Sequence, residues 1–316
     1  MNPDVVEAIG RLRQARVLTD EQAAPLARAA RGELVSIELE LRVLLYTGVL
    51  LVTTAVGLFL KENHERIGPA AIATLIAAAA AACLAYAWRR LPPFSWQSTV
   101  SPHLAADYVL LLGVLLAAAD LAYAETQFRV LGPRWPYHLL VVAVLAVAAA
   151  YRFDSRAVLS LGLTSFAAWR GVAVSLSFAS SGAASEPAVR WNALACGVVF
   201  VGAGILSVRT RRKAHFEPVY VTLGLLLAFG GFLSGVFDSS WRLWAIPLWI
   251  AAVLVIALAY RHRRVLDFTI AVVAAYLGAL RVLGGMVGRS YFLVAVTSLA
   301  VVAFLVLAQR RVKEAR

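Results

Sequence analysis

A chain of 316 residues that is 61% hydrophobic and only 15% charged, with a mean hydropathy of +0.77, carries more apolar surface than a water-soluble fold of this size can bury. Soluble domains hold about 25% charged residues. The net charge of +12 is confined to short stretches between long apolar runs, which marks membrane topology and excludes a nucleic-acid-binding reading.

Residues 1–41 are polar and amphipathic, with no apolar core in the first 30, so the first membrane helix is expected to act as the targeting signal. Val5, Ile9 and Leu12 share one helical face. Thr19-Asp20-Glu21-Gln22 forms a capping box, predicting two short helices with a turn near Val17-Leu18. Leu34, Ile37, Leu41 and Leu44 carry an apolar face on towards the membrane. This region reads either as a cytoplasmic collar under the bundle or as a docking arm for a protein partner. Short isolated helices need something to pack on.

Ten apolar runs follow: Val43–Leu60, Pro69–Trp88, Tyr108–Ala124, Tyr137–Tyr151, Ala157–Phe178, Trp191–Val208, Pro218–Phe237, Leu243–Tyr260, Val265–Leu283 and Ser290–Ala308. Crossing a bilayer takes about 20 residues, so the fourth run is short. The predicted fold is an all-α transmembrane bundle over 42–309, with a basic tail at 310–316. With the N-terminus cytoplasmic, 21 of the 30 Lys and Arg fall on the cytoplasmic side, 7 fall outside, and Arg170 and Arg281 lie within helices. That bias predicts a multi-pass protein of the bacterial cytoplasmic membrane with both termini inside. Trp135, Trp191, Trp241 and Trp244 then fall at the outer interface.

A weak repeat of about 110 residues runs through the chain. Ala150-Tyr151-Arg152 with Arg156 is echoed by Ala259-Tyr260-Arg261 with Arg264, and His103, Tyr108 and Gly113 by His215, Tyr220 and Gly224. The spacing suggests a parallel four-helix repeat, with Arg170 and Arg281 on equivalent faces.

Three charges sit inside apolar runs: Asp120, Arg170 and Arg281. Each lies about 20–24 Å along its helix from the cytoplasmic edge, in the outer third of the bilayer. Tyr123 and Gln127 share the Asp120 face, and Asn63 and His64 end the first helix outside. Unpaired charge in a membrane is expensive, so these residues form either an interhelical ion-pair layer or an outward-facing polar pocket. Gly231 with Gly235, and Gly284 with Gly288, are small-residue pairs suited to close helix packing. Cys83 and Cys196 lie far apart in apolar runs and the five histidines are scattered, so neither a metal nor another cofactor is expected. No phosphate loop, nucleophile elbow or acid–base constellation points to an enzyme.

Several stretches resemble the bacterial predicted membrane protein family known as domain of unknown function 2157. They are Val17-Leu18-Thr19-Asp20-Glu21-Gln22-Ala23, Leu45-Tyr46-Thr47-Gly48, Asn63 and Gln127-Phe128. His64 departs from the tryptophan common there. The resemblance implies a multi-pass membrane architecture and no assigned activity. Two functions stand at this stage: a small-solute transporter or binding protein with an outward-facing pocket, and a non-transporting scaffold or sensor whose residues 1–41 bind a partner. The lipid bilayer is the one expected contact common to both, and oligomeric state is not legible.

Overall fold

The computed structural model describes residues 38–98, 104–180 and 186–287, together with 11–14, 19, 23, 297 and 298. The chain packs as two units, Met1–Phe59 and Leu60–Arg316. In the first unit, residues 11–14 are helical. The Ala23 amide donates to the Thr19 carbonyl at 2.9 Å, the first turn expected after a Thr19 cap.

Among the described residues there are nine α-helices and no strand: α1 Glu38–Ile67, α2 Pro69–Arg90, α3 Leu104–Phe128, α4 Tyr137–Phe153, α5 Arg156–Ser180, α6 Glu186–Arg209, α7 Glu217–Val236, α8 Trp241–Arg261 and α9 Val265–Val287. They correspond to the first nine predicted runs. The tenth, Ser290–Ala308, lies outside the described residues except Thr297 and Ser298, whose hydroxyls meet Tyr276 of α9 at 3.0 and 2.7 Å. Seven of the nine are long and apolar enough to cross a bilayer; α4, with 17 residues, is shorter. Pro69 and Pro218 sit in the first turns of α2 and α7, where no intrahelical amide bond is lost.

In the second unit the helices pair as hairpins, α2 on α3, α4 on α5, α6 on α7 and α8 on α9, and α7 also touches α5, α8 and α9. Glycines set the closest approach. A Cβ at Gly224 would lie 2.7 Å from the Gly197 carbonyl oxygen and 2.9 Å from the Val201 amide nitrogen. Behind this pair, Phe229, Val236 and Leu248 pack with the small Ala252, Ala271 and Ala274.

Ion pairs and backbone bonds bring the connections after α2, α4, α6 and α8 to one end. Asp154, just past α4, pairs with Lys213 and His215 of the α6–α7 connection. Arg152 donates to the Pro92 carbonyl after α2 (3.1 Å), and the Lys213 amide donates to the Trp96 carbonyl (2.8 Å). Arg264, after α8, pairs with Glu217 at the start of α7. These connections are arginine-rich, and we call this the basic end. At the other end, Arg190 of α6 pairs with Asp238 of the α7–α8 connection. The short α4 therefore runs the full way between the two ends.

Three helices share one backbone closure at the basic end. After α4, Asp154 turns left-handed (φ 64) and the Ser155 amide closes on the Ala150 carbonyl. After α8, 109 residues on, Arg263 turns likewise (φ 55) and the Arg264 amide closes on Ala259. α6 ends in the same way through Arg211 (φ 55) and the bond from Arg212 to Ser207. These are Schellman-type closures that satisfy the last carbonyls. This register overturns one expectation. It matches Arg170 to position 279, two residues short of Arg281, so the two arginines lie about 200° apart around their helices.

Candidate functional site

α3 and α5 carry the predicted polar residues in the half of the bundle away from the basic end. Asp120 Oδ1 and Tyr123 OH on α3, and Trp169 Nε1 on α5, are buried with no hydrogen-bond partner among the described residues. The Trp169 ring rests between Tyr137 (6.0 Å) and Phe166 (5.6 Å). Arg170 turns to α6, where its Nε donates to Asn192 Oδ1 at 3.1 Å, and Cys196 Sγ lies 4.0 Å from the same oxygen. Among the described residues Asp120 forms no ion pair with either arginine, and Arg281 meets no acceptor. Gln127, in the last turn of α3, is exposed. Positions 63 and 64 are in α1, one turn before its end, and their side chains lie outside the described residues.

An open cavity of about 680 Å³ does occur at this end, lined by Ala122, Pro133 and Trp135 together with Glu125, Thr126, Arg129 and His138. It occupies the face of α3 opposite Asp120, Tyr123 and Gln127, because a shift of two residues rotates a helical position by about 200°. Glu125 is partly committed there, accepting the Leu131 amide at 2.8 Å.

Hydropathy reading missed Arg190, which it counted only as a loop charge. Arg190 is 4% exposed, donates to Asp238 (3.0 Å) and the Ser234 carbonyl (3.4 Å), and lies over the Trp244 ring at 5.1 Å. The Ser239 amide and then the Arg190 guanidinium hold the Asp238 carboxyl below its ordinary value.

The strongest polar cluster missed altogether is at the basic end. Lys213 is 1% exposed, and its Nζ donates to Asp154 Oδ1 at 2.7 Å. His215 Nε2 shares that oxygen at 2.5 Å, and the Phe94 and Phe216 rings flank the ammonium at 5.4 and 5.5 Å. Nearby, Arg264 meets Glu217 at 2.6 Å and Asp267 at 3.7 Å, while Thr222 donates to Asp267 at 2.8 Å. The sequence signal for these was Lys213 itself, one of three lysines, and the His215-Tyr220-Gly224 echo. Among the described residues no group of histidine, cysteine and carboxylate side chains has the proximity to hold a metal.

A bundle of long apolar helices with buried ion pairs and an arginine-rich end defines a multi-pass helical membrane protein. Residues 10–159 match the model of a family described as a predicted membrane protein, domain of unknown function 2157. The match runs from the N-terminal region to the start of α5 and leaves α6 to α9 outside it. No curated relative and no solved structure matches the chain.

Proposed function

We propose that the protein binds, and moves, a small polar solute from the outer half of the bacterial cytoplasmic membrane, with both termini in the cytoplasm. The observation that carries this reading is the set of three unpartnered buried atoms, Asp120 Oδ1, Tyr123 OH and Trp169 Nε1. A bilayer supplies no partner for such groups, and leaving them unmet is costly. They lie on helices that touch, α3 and α5, at about 12 and 17 Å from the non-basic end for Asp120 and Trp169. Asp120 offers an acceptor, Trp169 a donor and Tyr123 either. This set suits a neutral or cationic solute bearing N–H or O–H groups. Arg170 and Arg281 stand in the same half and are further candidates for the pathway.

The test is cysteine accessibility in a background lacking Cys83 and Cys196. Tyr123→Cys and Trp169→Cys should react with a membrane-impermeant thiol reagent added from outside. Leu116→Cys, buried four residues deeper than Asp120, should not. Reactivity at 123 and 169 no greater than at 116 would remove the water path that the reading requires.

A further inference from the structure

The second half of the bundle holds a crevice larger than its counterpart in the first half. Between α2, α3 and α4, Trp88 and Phe153 meet edge to face at 5.7 Å beside an apolar cavity of about 230 Å³. Between α6, α7, α8 and α9 the corresponding space is an open cavity of about 580 Å³. His262 lines this cavity where the 109-residue register places Phe153. In the same register, Ser155 and Val158 give way to Arg264 and Asp267. The crevice thus carries an imidazole and two charged side chains where the first half has Phe153, Ser155 and Val158.

Its depth is apolar, walled by Val201, Ile205, Val221, Leu225, Val255 and Leu258. Its rim, at the basic end, carries Arg209, Glu217, His262, Arg264 and Asp267. Arg264 is committed to the two carboxylates. Arg209 and His262 are exposed and have no ion-pair partner among the described residues. Counting His262 as neutral, the rim has two cations and two anions. A ligand that fits needs a long apolar chain and a headgroup bearing both charges.

We propose that this crevice holds one aminophospholipid, its acyl chain between α6, α7 and α8, its phosphate on Arg209 and His262, and its primary ammonium on Glu217. Basic pockets between membrane helices commonly bind lipid phosphates. Arg264 holds Glu217 through Oε2, so Oε1 of Glu217 is the acceptor offered to the ammonium, which distinguishes this headgroup from a purely anionic one. The inference is independent of the solute site on α3 and α5.

The test is native mass spectrometry of the full-length protein in detergent, offered equal amounts of phosphatidylethanolamine, phosphatidylglycerol and phosphatidylcholine. One phosphatidylethanolamine should be retained, preferred by about tenfold or more, the scale of one charge-assisted hydrogen bond. Arg209→Gln should weaken retention of both phosphatidylethanolamine and phosphatidylglycerol. Glu217→Gln should erase the preference over phosphatidylcholine. Leu258→Trp, at an exposed position that lines the crevice, should fill it and remove retention. Should Glu217→Gln fail to fold, Arg209→Gln and Leu258→Trp decide the matter, since neither breaks a contact of the folded chain. Equal retention of the three lipids, a preference for phosphatidylglycerol, or retention unchanged by Leu258→Trp would overturn the proposal.

Discussion

Lys213 and Asp154 bury opposite charges 59 residues apart in sequence, and each is nearly sealed from solvent, at 1% and 7% side-chain exposure. Removing Lys213 leaves Asp154 with His215 as a remaining partner. Lys213→Met is therefore expected to cost less than a stranded buried charge, about 1–3 kcal/mol. Adding Asp154→Asn should recover most of that loss, because asparagine tolerates the left-handed backbone at 154 and carries no charge. Denaturation midpoints of the solubilised single and double variants check this, and a loss no larger than that of an exposed salt bridge would refute it. Asp238 yields a second expectation. Its carboxyl is held below the ordinary value of 3.8, first by the Ser239 amide and then by Arg190. Its stabilising contribution is therefore full above 3.8 and is lost as pH falls through the lowered value. Asp238→Asn should melt below the native protein near neutral pH, and the gap should close as pH drops below 3.8 and through the lowered value. A gap independent of pH would show that the carboxylate charge contributes nothing.

At the scale of the elements, helix identity was legible and helix partnership was not. Hydropathy reports how deep a residue sits, so Asp120 and Arg170 were correctly assigned to spanning helices. It does not report which way a side chain turns, and Arg170 turns to Asn192 on α6 instead of to Asp120 on α3. Glycine packing was legible in part. Gly231 and Gly235, singled out by spacing, do sit in close contacts: a Cβ at Gly231 would lie 2.9 Å from Leu194, and one at Gly235 would run into the Trp244 ring. Spacing did not single out Gly197 and Gly224, where the α6 and α7 backbones meet. Gly224→Ala should push α6 from α7 and cost about 1–3 kcal/mol, since neither the Gly197 carbonyl nor the Val201 amide can yield cheaply. Gly230→Ala, one turn and a half along the same helix and facing open space, should be neutral or gain about 0.5–1 kcal/mol. Thermal melts of the two variants side by side make the comparison, and equal effects would mean that the close approach does not limit packing.

At the scale of the whole molecule, the charge count rested on every run crossing, and α4 was its weakest member. A 17-residue helix rises about 26 Å against a hydrocarbon core of about 30 Å. Such a helix can still span if the bilayer thins or flanking residues reach to the interfaces. The contacts at its two ends supply what length alone withheld. Tyr137 at its start lies against Trp169, in the half of α5 away from the basic end, whereas Arg152 and the following Asp154 engage Pro92, Lys213 and His215. A helix that turned back partway would leave Lys213 buried without its carboxylate. The expectation is therefore that single cysteines at the exposed Arg134 and Arg156, which flank α4, label from opposite sides of the membrane in the cysteine-free background. Arg134→Cys should react in intact cells with an impermeant thiol reagent. Arg156→Cys, with Ser98→Cys and Arg211→Cys as companions at the basic end, should react only after permeabilisation. Labelling of 134 and 156 from the same side would mean that α4 does not cross, and would reverse the orientation of every helix after it.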